Sequence, residues 1–515
     1  MQKLKTIGIP IFTSFLFLGL LFLHQLSEVR QVPNETWSRS VPLNVSLNEK
    51  PEVFKQEDTV YYSTSTNVQK VTFKENMTFR EENYPISFPK GRGFWSDGEQ
   101  FIYIKNDQLI LSDTKEEQVI ADAAVGVQGQ HHNVVFWNEE SLFTYNLNNG
   151  KSSLLTEFKN SISNAYFLNS GELVVVVPDK DNVLADLFYI TEENPSPILL
   201  TKLADNQNDK IQGLTGTLDE AGELLIIIEK TSRSQGVLAY KASKLVGTLD
   251  DFSSNNIEPE TISFTHKNYS YEFSTPQSLS LITTADETTL FFTAEDLNIG
   301  RENTISLYAG KLNGNEVQSE VVSTTKNITY APIHVPKLSS FYWLNYDGKE
   351  LNLYGASTNE NIIEQSLALS KTDYLDAFYN SFLMIFSGFI ALLTSFYVFL
   401  PSLFLLIMLN IFKPNIFESD GINWAEYTSI GIFLFMPIFY LNQAMDSYFY
   451  QMAPSYYSFD GSIWFILVLL SIVTTILWKI GRDPDWSAFA GAFYFMGVYM
   501  MLFVLSVGPY FFNLF

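Results

Sequence analysis

Ser96-Asp97-Gly98-Glu99-Gln100-Phe101-Ile102-Tyr103-Ile104 is a polar, glycine-bearing turn that runs directly into an apolar, β-branched and aromatic stretch. The pattern returns. Asn169-Ser170-Gly171-Glu172-Leu173 opens Val174 to Val177, Glu220-Ala221-Gly222-Glu223-Leu224 opens Leu225 to Ile228, and Tyr346-Asp347-Gly348-Lys349-Glu350 opens Leu351 to Tyr354. Weaker copies begin at Asn138-Glu139-Glu140 and Asp286-Glu287-Thr288. A turn followed by one strand cannot bury both its faces alone and must stack against its neighbours. With Gly98, Glu140, Gly171, Gly222, Glu287 and Gly348 as equivalent points, the period is about 50 residues, the size of a four-stranded propeller blade. The spacing predicts an all-β domain of six or seven blades, with an array of β-sandwiches as the alternative.

A second element recurs behind these turns: Leu142-Phe143-Thr144-Tyr145-Asn146-Leu147, Asp186-Leu187-Phe188-Tyr189-Ile190, Gly236-Val237-Leu238-Ala239-Tyr240 and Ile305-Ser306-Leu307-Tyr308-Ala309. Together with turns such as Asn149-Gly150-Lys151, it resembles the TolB-type propeller repeat over roughly residues 90 to 370. The resemblance implies a shared scaffold and leaves function to the loops.

The chain has 515 residues, a net charge of -24 and no cysteine. Residues 376 to 515 carry -5 and residues 1 to 30 carry +2, so 31 to 375 hold -21. Such a surface repels polyanions and excludes nucleic acid as a partner, because its binding rests on Lys and Arg displacing counterions. Without cysteine there are no disulfides, thiolate nucleophiles or thiolate metal sites. An exported domain of that composition fits a bacterial, Gram-positive-like cell surface.

Lys3 and Lys5 precede an apolar run from Ile7 to Leu23 with no small-residue cleavage site behind it, which predicts an uncleaved signal anchor over 1–30. Residues 31–58, with Pro33, Pro42 and Pro51, read as a spacer, and 59–375 as the extracytoplasmic propeller. In 376–515 four further spans are expected. Phe382 to Phe412 is a 31-residue apolar run, read as one long helix tilted or kinked at Pro401. Tyr427 to Leu441, Ser462 to Trp478 and Ala488 to Phe512 follow. Five spans place Lys413, Lys479 and Arg482 on the cytoplasmic side and the C-terminus outside, in agreement with the positive-inside rule. A multi-pass protein of the cell membrane is expected, with lipid as one partner and an envelope protein or polymer as another.

Catalytic signatures are absent from the sequence: no Gly-x-Ser-x-Gly, Walker loop, His-Glu-x-x-His or Gly-x-Gly-x-x-Gly occurs. A propeller hydrolase or lyase acting on wall polymer would need acids such as Asp97, Asp107, Asp219 and Asp286 to converge. His131-His132 leads into a strand, where neighbours point to opposite faces, and His266 and His334 stand alone. Asp179-Lys180-Asp181-Asn182 has the alternation of a calcium loop without the downstream Gly and Glu, so a solvated hairpin tip is expected and no cofactor is assigned. In the membrane part the candidate polar positions are Glu426, Asn442 and Asp446, near helix ends where side chains can reach water. These would matter if the bundle were the accessory of a transporter or channel. Tyr448, Tyr450, Tyr456 and Tyr457 form an aromatic outer loop, expected as an interfacial belt or a docking surface. The leading expectation is a non-enzymatic sensor or scaffold.

Overall fold

The computed structural model describes residues 2–113, 116–179, 181, 183–254, 257–267, 272–283, 287–295, 304–417, 424–445, 449–450, 453–454, 456–483 and 485–512. Two compact units divide the chain: a β unit of residues 32–297 and 303–367, and a helical unit of residues 1–31 and 368–515.

In the β unit, antiparallel four-stranded meanders occupy residues 52–84, 94–121, 126–157 and 164–204. A twelve-stranded sheet follows. Its first four strands run from Asp209–Leu218 to Glu260–His266, and its second four from Gln277–Thr283 to Glu316–Val321. The outer strands of these two groups pair in parallel over Ser263–His266 and Glu316–Ser319. The last group is Ile328–Val335, Ser340–Tyr346 and Leu351–Ser357, and its fourth strand is Val41–Leu47, from the other end of the unit. Val41–Leu47 and Glu52–Gln56, expected as spacer, are therefore strands. Val41–Leu47 hides from a pattern search because its alternation is short and broken by Pro42, which is tolerated on an edge strand.

Each meander packs on the next through a dry cluster. Phe54, Tyr61, Phe94, Trp95, Phe101, Val127 and Phe136 join the first three, and Val135, Trp137, Val175 and Val177 join the third and fourth. Leu187, Leu200, Leu224 and Ile226 continue the series, followed by Phe264, Leu290 and Phe292 and then by Phe291, Leu307, Phe341 and Trp343. The last and first groups share a cluster as well: Val60, Tyr62, Val71 and Phe73 meet Ile333, Val335, Tyr342 and Leu344, with Leu43, Val45 and Leu47 beside them. Phe73 stacks on Tyr342 at 3.6 Å.

The turns that suggested a repeat are real but occupy two different places. Gly98, Gly171 and Gly222 connect first and second strands, whereas Glu140 and Gly348 lie between second and third. They look alike because one local device builds them. Asp97 Oδ1 accepts from the amides of Glu99 and Gln100 at 2.9 and 2.8 Å, and Asp347 Oδ1 from Lys349 and Glu350 at 2.9 Å each. Gly98 and Gly348 then take φ of 99° and 97°, a region that favours glycine. The mixed positions explain the short step from Glu140 to Gly171, whereas the longest step, from Gly222 to Glu287, joins like turns and contains the long strands Glu223–Ser234 and Val237–Thr248 and the helix Leu249–Ser254. Asp286 lies outside the described residues.

In the helical unit, α1 is Gln2–Val29. The β unit holds two short helices, α2 (Leu249–Ser254) and α3 (Glu360–Ser366). Then come α4 (Lys371–Thr394), α5 (Leu400–Phe412), α6 (Trp424–Ala444), α7 (Ser462–Gly481) and α8 (Ala488–Ser506). Among the described residues five helices are long and apolar enough to cross a membrane: Thr6–Val29, Lys371–Thr394, Trp424–Asn442, Ser462–Gly481 and Ala488–Ser506.

The expected helix from Phe382 to Phe412 is two helices. The first begins earlier, at a capping box in which Ser370 and Asp373 exchange hydrogen bonds. It ends at Thr394, and Phe396–Phe399 make a tight 3-10 turn before α5. Pro401 is responsible at a distance. Its ring clashes with a carbonyl one turn upstream and it offers no N–H, so it sits in the first turn of α5 and the break falls before it.

Contacts fix the order of levels within the bundle. Thr6, Glu426, Gly481 and Gly491 share one end, and His24, Tyr440, Phe503 and Tyr510 the other. Ser387 and Thr394 bond at the Tyr510 end, to Gly508 and Tyr440, while Ser402 donates to the Ser429 carbonyl one helix turn from Glu426. The second half of α4 and α5 thus together run the length of the bundle. Small residues permit the close approach: a Cβ on Gly388 would stand 2.3 Å from the Val504 carbonyl oxygen.

Candidate functional site

The β unit contains a cavity of about 360 Å³ at the starting ends of the first strands of its first four meanders. Glu52, Phe54, Arg92, Phe94, Gln128, Trp137, Ser163 and Asn164 are among the residues that line it. Two glycines let its wall pack closely. A Cβ on Gly126 would lie 1.9 Å from the Trp137 ring, and one on Gly93 would lie 2.1 Å from the Val127 carbonyl oxygen. The Gly91–Phe94 segment is pinned there by the Val127 amide, which donates to the Arg92 carbonyl at 3.0 Å.

Charge is distributed unevenly in this wall. The Gly91 amide donates to the Glu52 carboxylate, while burial raises the carboxyl above its ordinary range. Arg92 Nη1 meets Asp107 Oδ1, so Asp107 is paired with a cation and is not gathered with other acids. Asp97 and Asp219 serve turns: Asp219 Oδ1 accepts from the Glu223 amide at 2.8 Å. Among the described residues no group of three or more His, Asp or Glu side chains is placed to hold a metal. His131, at φ 54°, and His132 form the two-residue turn of a hairpin, and the His131 carbonyl accepts from the Trp95 indole at 2.9 Å. Lys180 and Asn182 of the acidic loop lie outside the described residues.

His334 is half-buried between ring systems, 4.8 Å from the Phe341 ring centroid. Desolvation, with a smaller contribution from Lys55, lowers its imidazole to about 4. The folded state therefore holds the neutral form. Stability from this residue is complete above the unfolded value near 6.5 and is lost as pH falls from there toward 4, by roughly 3 kcal/mol at most. Thermal unfolding of the detergent-solubilised chain from pH 7.5 to 4.5 is expected to show a shallower acid decline in His334→Phe than in the natural sequence. Equal declines would place the acid sensitivity elsewhere.

The helical unit holds a second constellation. Glu426 does not reach water: it is 0 % exposed, and Arg482 donates to both its oxygens, Nε to Oε1 at 3.0 Å and Nη2 to Oε2 at 2.7 Å. The guanidinium lies 5.7 Å from the Trp478 ring, whose indole N–H donates to the Gly491 carbonyl at 3.1 Å. Gly491 is required by the carboxylate, because a Cβ there would stand 2.0 Å from Glu426 Oε1. Topology alone puts Arg482 at the expected cytoplasmic end; its pairing has no local sequence signal across a separation of 56 residues.

Asn442 is exposed, and Asp446 and Tyr448 lie outside the described residues. Tyr450 and Tyr456 are exposed, whereas Tyr457 is buried with its ring 6.2 Å from Tyr510. The aromatic loop thus divides between core and surface.

No protein-family model matches the chain, and no curated protein matches its sequence. Solved structures similar to it include Kuenenia stuttgartiensis hydrazine synthase, at 8 % identity, TM-score 0.41 and coverage of 60 % of this chain and 97 % of that one. An oligogalacturonate lyase in complex with manganese matches at 11 % identity and TM-score 0.34, covering 63 % and 99 %. The β-propeller domain of the trilobed protease from Pyrococcus furiosus matches at 10 % identity and TM-score 0.32, covering 60 % and 83 %.

Proposed function

We propose that this chain is a membrane-tethered β-propeller of seven four-stranded blades, whose extracytoplasmic domain binds a small ligand as a sensor or scaffold of the cell envelope. Seven consecutive four-strand groups, each packed on the next and the last on the first, support the ring; Val41–Leu47 supplies the outer strand of the seventh. The observation that carries the binding role is the cavity of Glu52, Arg92 and Gln128 at the inner-strand ends, since concave sites with a few convergent polar groups are where ligands bind. Because the Glu426–Arg482 pair is satisfied within the bundle, the helices serve as the anchor of this domain, with the N-terminus cytoplasmic and residues 31–375 outside.

The test is ligand-dependent unfolding of the full chain in detergent, since binding to the folded state alone raises the melting temperature. Wall polymers, glycans, peptides and amino acids are screened in parallel against a Ser163→Trp variant, which fills the cavity. A rise in the natural sequence that the variant loses supports the proposal. No rise with any class, or the same rise in the variant, removes the cavity from the function.

A further inference from the structure

Resting on that reading of the cavity, its wall narrows the ligand class. Glu52 forms no ion pair among the described residues: of the two cations that flank its partner Gly91, Lys90 is engaged by Glu49 at 3.0 Å and Arg92 by Asp107. Among the described residues its carboxylate accepts one hydrogen bond, from the Gly91 amide, and feels the Lys90 charge without contact, leaving lone pairs for a donor from the cavity. Arg92 stands on the same wall with opposite charge. One guanidinium nitrogen is taken by Asp107, and the fork has other N–H groups to offer.

A lone cation in this space meets Arg92, and a lone anion meets Glu52. A neutral sugar would find no open aromatic ring to stack on, because Phe54, Phe94 and Trp137 are all buried. The volume, about 360 Å³, is at the lower end of ligand sites and suits a molecule of a few heavy atoms better than a polymer segment. We propose that the cavity takes a compact zwitterion of the amino-acid type, with its ammonium at Glu52 and its carboxylate at Arg92. Gln128, Ser163 and Asn164 then supply neutral polar contacts to the remaining surface. The tight seating of the Gly91–Phe94 segment on Val127 holds the two charges in place before the ligand arrives, which lowers the ordering cost of binding.

The experiment is calorimetric titration of the full chain in detergent with glycine, L-alanine and D-alanine, beside three controls: alanine methyl ester, N-acetylalanine and glucose. The ester keeps the ammonium without the carboxylate, and the acetylated form the reverse. Binding of an amino acid, weakened at least tenfold in either half-ligand and at least tenfold in Glu52→Gln and in Arg92→Gln, supports the proposal. Both variants alter the cavity wall without touching the dry clusters, and an unchanged melting temperature verifies their folding. Equal binding of glucose or of one half-ligand overturns the zwitterion and leaves the cavity as a site. Failure of all six probes, while a polymer or peptide from the wider screen still protects the natural sequence and not Ser163→Trp, overturns the zwitterion alone. Failure of every probe overturns both.

Discussion

Arg482→Ala destabilises the helical unit by about 3–5 kcal/mol, the cost typical of stranding one member of a buried ion pair. The truncation strips the Glu426 carboxylate, 0 % exposed in the natural sequence, of both Arg482 donors. Arg482→Lys recovers only part of the loss, because an ammonium cannot reproduce the two parallel bonds from Nε and Nη2. The double variant Glu426→Leu with Arg482→Leu is expected to be more stable than Arg482→Ala, since it removes the charge that would otherwise be stranded. Chemical unfolding in detergent, followed through tryptophan emission, reads all three, and Trp478 lies beside the guanidinium as a local reporter. If Arg482→Ala unfolds at the same denaturant concentration as the natural sequence, the pair does not hold the bundle together.

Val45→Asp is the second large effect. Val45 is 2 % exposed between Leu43 and Leu47, on the strand that pairs with Leu351–Ser357. Losing a buried valine removes about 1.5–3 kcal/mol of apolar burial, and the carboxylate adds its own desolvation cost. The sum, at least 4 kcal/mol, is of the size that unfolds marginal domains. The local consequence is release of Val41–Leu47 from the edge of the sheet, which limited proteolysis between Ser40 and Lys50 would detect. Ser46→Asp, on an exposed position of the same strand, is the matched control and should leave that segment protected.

Much of the β unit was legible because its turns advertise themselves chemically. An Asp or Asn that captures two following amides, with a glycine behind it, leaves a signature at Asp97 and Asp347 that does not depend on the tertiary fold. What that signature does not encode is which pair of strands it joins, so Gly98 and Gly348 look equivalent and are not. Val41–Leu47 was missed because its partner strand lies some 300 residues away and its own pattern is only seven residues long. In the helical unit, length and apolarity reveal helices fit to cross a membrane, and Ser370 with Asp373 announces the start of α4 to anyone reading for capping boxes. The Glu426–Arg482 pair and the cavity around Glu52 and Arg92 were not legible for one shared reason. Each brings together residues on separate elements, and one-dimensional spacing carries no record of such meetings.

The pairing of Val41–Leu47 with Leu351–Ser357 also sets a timetable for the nascent chain. The N-terminal strand is synthesised soon after the first helix, yet its partner follows about 300 residues later. At roughly 5–20 residues per second, that is about 15–60 s during which an apolar strand has no sheet to join. Asn44 and Ser46 alternate with the buried residues, and Pro42 removes one amide from the unpaired edge. Such features blunt edge-to-edge association while the strand waits.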